Sequence, residues 1–188
     1  GVIALMLAQR NKTAQIDAIE IEEGAVNDAS ANFINSPWNE RLQLRQISAQ
    51  DFAYKNIKEY DLIVCNPPFF SNSLPSPQQS KTLARHTNKL TFRELVEAAS
   101  KLLTPEGRFC VVLPTESEKQ FCDEAAGVKL FPTHITRVKP NPAKPVKRIL
   151  MTFAFGATTL SENELTIETE TRHVYTNEYQ KMVGAFML

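Results

Sequence analysis

The 188-residue sequence lacks several features that define other protein classes. Its three cysteines, Cys65, Cys110 and Cys122, are odd in number and widely spaced, which argues against a disulfide framework or a zinc site. No apolar run approaches ~18 residues and no signal-peptide pattern opens the chain, so we expect a cytoplasmic protein with no membrane span. The 21 basic and 21 acidic residues cancel, so the total charge does not by itself indicate a nucleic-acid partner.

The sequence also contains no internal repeat and no low-complexity tract. Hydrophobic residues make up 43% and charged residues 22%, as in an ordinary globular protein. A chain of this length can build one sizeable hydrophobic core. We therefore predict a single domain over residues 1–188, favour a monomer, and expect no bound metal.

The most informative stretch is residues 61–70. Residues 62–65 are apolar without a helical period, which predicts a short strand buried on both faces. Pro67 and Pro68 then remove two backbone donors, fix φ and keep the preceding residue out of the helical region. The pattern predicts a rigid turn at the carboxyl end of a strand, where open α/β sheets bind ligands.

This turn suits chemistry on an exocyclic amine. The side-chain oxygen of Asn66 and the carbonyl of Pro67 can accept the two hydrogens of an adenine amine and localise its lone pair. Phe69 can stack on the base, which is worth roughly 1–3 kcal/mol in nucleic-acid complexes. A sulfonium methyl group held in line then needs only positioning and hydrogen bonding. The alternative is a proline-rich loop in which Asn66 is only a turn residue.

Asn66-Pro67-Pro68-Phe69 resembles the Asn-Pro-Pro-[Tyr/Phe] motif of S-adenosylmethionine-dependent amino-group methyltransferases. With residues 3–10, 35–38 and 109–114, nearly the whole chain resembles the bacterial methyltransferases of adenine 37 in tRNA1(Val). The resemblance implies a Rossmann-like class I α/β fold with a mostly parallel seven-stranded sheet and an antiparallel last strand. It implies S-adenosyl-L-methionine as cofactor and tRNA as partner, with residues 66–69 catalytic and Asn66 also contacting the cofactor.

The resemblance also identifies Gly1 as the last glycine of a loop around the amino-acid end of the cofactor. We therefore expect that the first strand and the rest of that loop are missing from this sequence. Residues 15–21 read as the next strand, with Glu20 nineteen positions after Gly1. An acid about 20 positions past a glycine-rich turn is placed to bind ribose hydroxyls. The predicted cofactor site also includes Ile21. The alternative is that Glu20 is only a solvated carboxylate at the end of a strand.

The third predicted strand carries Leu42, Leu44 and Ile47. Many members of the resembled family place an Asp just after this strand, where it accepts a hydrogen bond from the adenine amine of the cofactor. That position here is Ser48, and Asp51 follows three residues later. Either side chain can accept the bond, the carboxylate with more charge assistance. The amide of Ala49 lies nearby in sequence.

Two segments are candidates for contact with substrate phosphates. Residues 71–89 form a polar, proline-containing loop in which Arg85 and His86 are candidates, although the loop can equally be solvated. Residues 137–148 hold five basic residues and three prolines without an acid. Proline keeps such a loop extended, and its cations suit a phosphate backbone, unless it is only a solvated hairpin tip. The residues assigned to tRNA in this segment are Lys139, Lys144, Lys147 and Arg148.

The rest of the chain continues an α/β pattern. Helices are predicted over 22–35, 91–103, 116–126 and 177–186, the second with a Thr91–Glu94 capping box. Residues 105–107 predict a turn. Strands are predicted at 108–113, at 128–138 and 146–155 as an antiparallel pair, and at 164–168 as an edge strand.

Two other functions remain open. The same motif occurs in methyltransferases that modify a glutamine amide of release factors or guanine amines of ribosomal RNA. A release-factor enzyme would need a peptide groove rather than the basic segment at 137–148. A non-catalytic RNA-binding module with the same fold is the other alternative, but it would have no use for both Asn66 and Glu20.

Overall fold

The computed structural model describes residues 1–55, 60–67, 90–156 and 159–186. The chain divides into two compact units, Gly1–Ile57 and Lys58–Leu188. Each unit is an α/β assembly, and each is described by itself. The prediction of a single domain stays a prediction.

The first unit alternates helices with two parallel strands. Its elements are α1 (Val2–Arg10), β1 (Ile16–Glu20), α2 (Glu23–Ile34), β2 (Leu42–Gln46) and α3 (Ala49–Lys55). The register of β1 on β2 runs from Ile16↔Leu42 to Glu20↔Gln46. Small residues on α1 let it lie close to the sheet, where Ala4 and Ala8 pack with Phe33 and Leu42 in one core. The predicted strands at 15–21 and 42–47 and the helix at 22–35 are confirmed.

The second unit is a five-stranded mixed sheet with helices. Its elements are β3 (Tyr60–Cys65), α4 (Phe92–Leu102), β4 (Leu103–Pro114), α5 (Glu118–Gly127), β5 (Leu130–Lys139), β6 (Arg148–Phe155), β7 (Ser161–Thr166) and α6 (Asn177–Val183). The strand order is β3-β4-β6-β5-β7. Strand β3 is parallel to β4, and β6 is antiparallel to both β4 and β5. The predicted antiparallel pair is therefore confirmed, and the edge strand β7 is parallel to β5.

Helix α4 begins where its sequence predicts. Thr91 accepts the backbone N–H of Glu94, and the Glu94 carboxylate accepts the backbone N–H of Thr91, which completes the capping box. Its apolar face packs with α5 on one face of the sheet, around the fully buried Phe109, Phe121 and Phe153. This core fixes the ends of β3 and β4, which carry the candidate site.

Two predictions about the strands differ from the structure. Residues 105–107 belong to strand β4 and not to a turn, and the register of β3 on β4 shifts there from Tyr60↔Leu103 to Leu62↔Arg108. Gly107 fits there because a Cβ would lie 2.8 Å from the carbonyl oxygen of Tyr60. Strand β3 is not buried on both faces, since Leu62 is 45% exposed.

Helix α6 is shorter than the predicted 177–186 and buries none of its residues. Over the described ranges, no helix combines the length and apolar character needed to cross a membrane. The same residues contain no group of three His, Cys, Asp or Glu side chains that could hold a metal ion.

Candidate active site

In the first unit, five of the predicted cofactor-binding residues lie at the carboxyl edge of the two-stranded sheet: Glu20, Ile21, Ser48, Ala49 and Asp51. Strands β1 and β2 are parallel and end level with each other at Glu20↔Gln46. The backbone N–H of Ile47 donates to the carbonyl of Glu20 at 3.0 Å. The turn after β1, with Ile21, and the turn after β2, with Ser48, therefore lie side by side.

The carboxylate of Glu20 is oriented by the backbone. Its Oε1 accepts the N–H of Ile21 at 2.8 Å and the N–H of Glu22 at 3.0 Å. The described hydrogen bonds leave Oε2 for another donor, such as a ribose hydroxyl. Ile21 is 52% exposed beside it and offers an apolar surface to a flat ring.

Ser48 and Asp51 form the start of α3 together. The Ser48 hydroxyl accepts the backbone N–H of Asp51 at 3.0 Å and donates to Oδ2 of the Asp51 carboxylate at 2.8 Å. Ser48 is thus an N-cap whose hydroxyl already makes two hydrogen bonds. Asp51 is exposed, and its Oδ1 makes no hydrogen bond to the residues that the structure describes.

Gly1 is the N-cap of α1 and lies against α2. A Cβ at this position would be 2.9 Å from Cε1 of Phe33 and 3.0 Å from Cβ of Ala29. Close packing of the two helices therefore requires a glycine. At the other end of α1, Arg41 donates to the carbonyls of Ala8 and Asn11 at 2.9 and 3.0 Å, which ties the helix to the residue before β2. No sequence pattern predicted this role of Arg41.

In the second unit, Asn66 follows β3 directly. Asn66 is exposed, whereas the next residue, Pro67, is buried. No described residue forms a hydrogen bond with the Asn66 side chain. Cys65 packs against the main core, and burial raises its pKa to about 11, which identifies it as a core thiol, as predicted. The predicted catalytic residues Pro68 and Phe69 lie outside the described residues.

The segment 137–148 emerges at the same edge of the sheet as Asn66. Cys65 pairs with Val111 near the ends of the parallel strands β3 and β4. Arg148, at the start of β6, pairs with Pro114 at the end of β4 and with Val138 near the end of β5. The connection from β5 to β6 therefore shares its edge with the amide of Asn66.

Arg137 and Lys139 in this segment form ion pairs with acids from other elements. The Arg137 guanidinium makes hydrogen bonds of 2.8 and 3.0 Å to the two oxygens of Glu118 and of 3.0 Å to Glu162, and these bonds raise its pKa. Lys139 forms a 2.9 Å ion pair with Glu164. Lys139 would have to leave Glu164 to meet a phosphate, so its assignment to tRNA stays a prediction.

The other predicted cations of the segment are exposed. Lys144 and Lys147 have no ion-pair partner within the described part of the chain, and Arg148 donates from Nη1 to the carbonyl of Lys147 at 3.0 Å. Sequence reasoning did not find the acids that neutralise Arg137 and Lys139, because they come from α5 and β7. Arg85 and His86 lie outside the described residues.

Known proteins resemble the chain in sequence and in fold. The family model of the methyltransferase small domain matches residues 1–125. A tRNA1(Val) (adenine(37)-N6)-methyltransferase of Flavobacterium psychrophilum is 43% identical over 188 residues, which is all of this chain and 80% of the relative.

Two solved structures resemble the chain in fold. A predicted O-methyltransferase from Agrobacterium tumefaciens gives a TM-score of 0.74 at 16% identity, over 95% of this chain and 81% of that one. The glycopeptide N-methyltransferase MtfA, solved with S-adenosyl-L-methionine, gives 0.55 at 11% identity, over 76% and 74% of the two chains. These likenesses confirm the predicted Rossmann-like methyltransferase fold. By sequence and by fold, the chain belongs to the methyltransferase small domain family, within the group of the tRNA1(Val) (adenine(37)-N6)-methyltransferases.

Proposed function

We propose that the protein transfers a methyl group from S-adenosyl-L-methionine to the exocyclic amine of an adenine in tRNA, at adenine 37 of tRNA1(Val). The observation that carries this proposal is the exposed amide of Asn66 directly after β3 and beside the buried Pro67, with no hydrogen bond to it from any described residue. The substrate is inferred from the name of the relative that matches the whole chain. A tRNA substrate would place the protein in the cytoplasm.

Asn66 and Pro67 act on the substrate amine through hydrogen bonding. The Asn66 Oδ1 and the Pro67 carbonyl each accept one amine hydrogen, which concentrates the lone pair on nitrogen. Preorganised groups of this kind act without reorganisation at the moment of reaction. Phe69 would stack on the base, and a base flipped out of its helix can reach such a pocket. Methyl transfer would form the nitrogen–methyl bond as the methyl–sulfur bond breaks and leaves a neutral thioether, and the amine nitrogen would release one proton to water.

The described residues at the end of β1 and β2 fit the chemistry of the cofactor. When bound, S-adenosyl-L-methionine supplies an electrophilic sulfonium methyl group. Oε2 of Glu20 would accept a ribose hydroxyl, and Ile21 would lie against the adenine ring. Of the two candidates for the adenine amine, Asp51 has a carboxylate oxygen that makes no hydrogen bond to the described residues, and Ser48 is used as a cap.

The remaining residues of the proposed cofactor site are assigned from the family resemblance. The amide of Ala49 lies at the start of α3, beside this edge of the sheet. Gly1 and Asn66 complete the proposed set.

The proposed tRNA contact consists of Lys144, Lys147 and Arg148. These three residues are proposed because they are exposed and lie at the same edge of the sheet as Asn66. Exposed cations on such a loop can neutralise RNA phosphates and contribute affinity that depends on salt. Arg85 and His86 complete the predicted set.

The test offers labelled S-adenosyl-L-methionine and three acceptors to the full-length protein: unmodified tRNA, ribosomal RNA and release factor. N(6)-methyladenosine in digested tRNA, located at position 37, is the expected result. Label in release factor or as methylguanosine would leave the chemistry in place but replace the substrate. Failure to bind S-adenosyl-L-methionine would overturn the enzyme proposal and favour an RNA-binding module.

A further inference from the structure

The basic loop, defined as residues 140–147 between β5 and β6, is attached to the end of β4 by one side chain. Thr115 is the first residue after β4, and its hydroxyl donates to the carbonyl of Val146 at 3.3 Å. Val146 also packs against the main core. The carboxyl-terminal end of the loop is therefore held from two sides, directly before Lys147.

The rest of the basic loop is ordered by its own turn and by its neighbours. Lys147 donates its backbone N–H to Val138 at 3.1 Å, and Lys144 donates to the carbonyl of Asn141 at 3.2 Å. The Asn141 side chain accepts the N–H of Ala143 at 3.2 Å. The chain after β7 supports the loop start, since Glu168 donates its N–H to Pro140 at 2.9 Å. Lys144 and Lys147 thus project from a backbone with defined hydrogen bonds.

We propose that Thr115 is a positioning residue for substrate tRNA. Its hydroxyl fixes Val146, and through Val146 it holds Lys147 and Arg148 at the sheet edge that carries Asn66. Cations held in place lose less conformational freedom on binding than cations on a free loop, so preorganisation favours affinity for tRNA. This inference rests on the proposed function, because it assumes that the loop meets tRNA phosphates.

The chain offers a matched control for this hydrogen bond. Thr133 lies near the start of β5, and its hydroxyl donates to the carbonyl of Thr152 at 3.1 Å. Since β5 ends at the edge that carries Asn66, Thr133 lies toward the opposite edge. Thr115→Val and Thr133→Val each remove one hydroxyl-to-carbonyl bond from the same sheet, and Thr115→Ser keeps the hydroxyl.

The experiment measures KM and kcat for tRNA, and tRNA affinity as a function of salt, in these three variants and the wild type. We expect Thr115→Val to raise KM for tRNA about fivefold, equivalent to one lost hydrogen bond of ~1 kcal/mol, with kcat nearly unchanged. Its salt dependence should become shallower, because fewer phosphates are neutralised. Thr115→Ser should restore both values, and Thr133→Val should leave both unchanged.

The outcomes separate this inference from the proposed function. Wild-type kinetics and salt dependence in Thr115→Val, with an active wild-type enzyme, would overturn the role of Thr115 alone. If Thr133→Val changed the KM for tRNA as much as Thr115→Val, the effect would reflect lost stability. That result would also overturn the positioning role of Thr115. If the wild type does not methylate tRNA, the proposed function fails first and this inference fails with it.

Discussion

Ser48 and Asp51 hold each other at the start of α3, through a 2.8 Å bond from the hydroxyl to Oδ2 and a 3.0 Å bond from the Asp51 N–H to the hydroxyl. The cap thus uses the serine, whereas the aspartate keeps one carboxylate oxygen. From the sequence alone, Ser48 and Asp51 were both candidates for the hydrogen bond to the cofactor adenine. The structure shows that Ser48 caps α3, and we assign the proposed contact with the adenine to Asp51.

Asp51→Ala should therefore weaken S-adenosyl-L-methionine binding about tenfold, because a charge-assisted hydrogen bond contributes roughly 1.5 kcal/mol or more. Ser48→Ala should instead lower the free energy of unfolding by about 1 kcal/mol through loss of the cap. Calorimetric titration of the cofactor and chemical denaturation measure the two effects. A Ser48→Ala variant that loses more cofactor affinity than Asp51→Ala would reverse the assignment.

Asn66→Ala should reduce kcat for tRNA methylation by about 10²–10³-fold, the range seen when one preorganised hydrogen-bonding group is removed from an active site. The KM for tRNA should change little, because the amine contact is a small part of the RNA interface. Asn163→Ala is a matched control, since Asn163 is another amide of the same unit and accepts the Thr136 hydroxyl at 2.7 Å. Equal losses of kcat in both variants would indicate damage to the fold rather than to catalysis.

The local pattern of the sequence predicted most of the secondary structure. The capping box of Thr91 and Glu94 is a short-range signal, and it was sufficient to place α4. The apolar run at 62–65 predicted a strand, but it could not show whether a second face is covered, and Leu62 is exposed. Burial depends on neighbours that are distant in sequence.

The charge pattern at 137–148 likewise could not show which cations are paired with acids from elsewhere in the chain. The segment itself contains no acid, but Glu164 on β7 forms an ion pair with Lys139, and Glu118 on α5 forms one with Arg137. Pairing with strands and helices that come from elsewhere in the chain decides which cations stay available. Thr115 was missed for the same reason, because a hydroxyl bonded to a carbonyl 31 residues away has no sequence signature.

The charge pairing leads to a prediction about tRNA affinity. The double variant Lys144→Ala, Lys147→Ala should weaken tRNA binding at low salt and reduce the slope of log affinity against log salt by about 1 for each lost phosphate contact. Lys139→Ala removes the same charge from the same segment, but its partner is Glu164. It should leave the slope unchanged and alter stability by at most about 1 kcal/mol, since the pair is partly exposed. A slope reduced only in Lys139→Ala would contradict this division.

The buried thiol of Cys65 leads to a prediction about alkaline pH. Burial raises the pKa of Cys65 from its ordinary value of 9.0 to about 11, so the folded protein holds the thiol proton more tightly than the unfolded chain. This contribution to stability is fully present below pH 9 and is lost as the pH rises toward 11. The loss at full titration is on the order of 2 kcal/mol.

Cys65→Ala removes this titration and leaves a small cavity at every pH. The difference in the free energy of unfolding between wild type and Cys65→Ala should therefore be largest near pH 8 and should narrow between pH 9 and 11. Cys122→Ala is the comparison, since burial and the carboxylates of Glu118 and Asp123 also raise the pKa of Cys122, although Cys122 is less enclosed. Urea denaturation at several pH values measures each difference. A constant difference for Cys65→Ala from pH 8 to 11 would show that the thiol next to Asn66 is solvated, and that the turn is less tightly anchored than its buried Pro67 indicates.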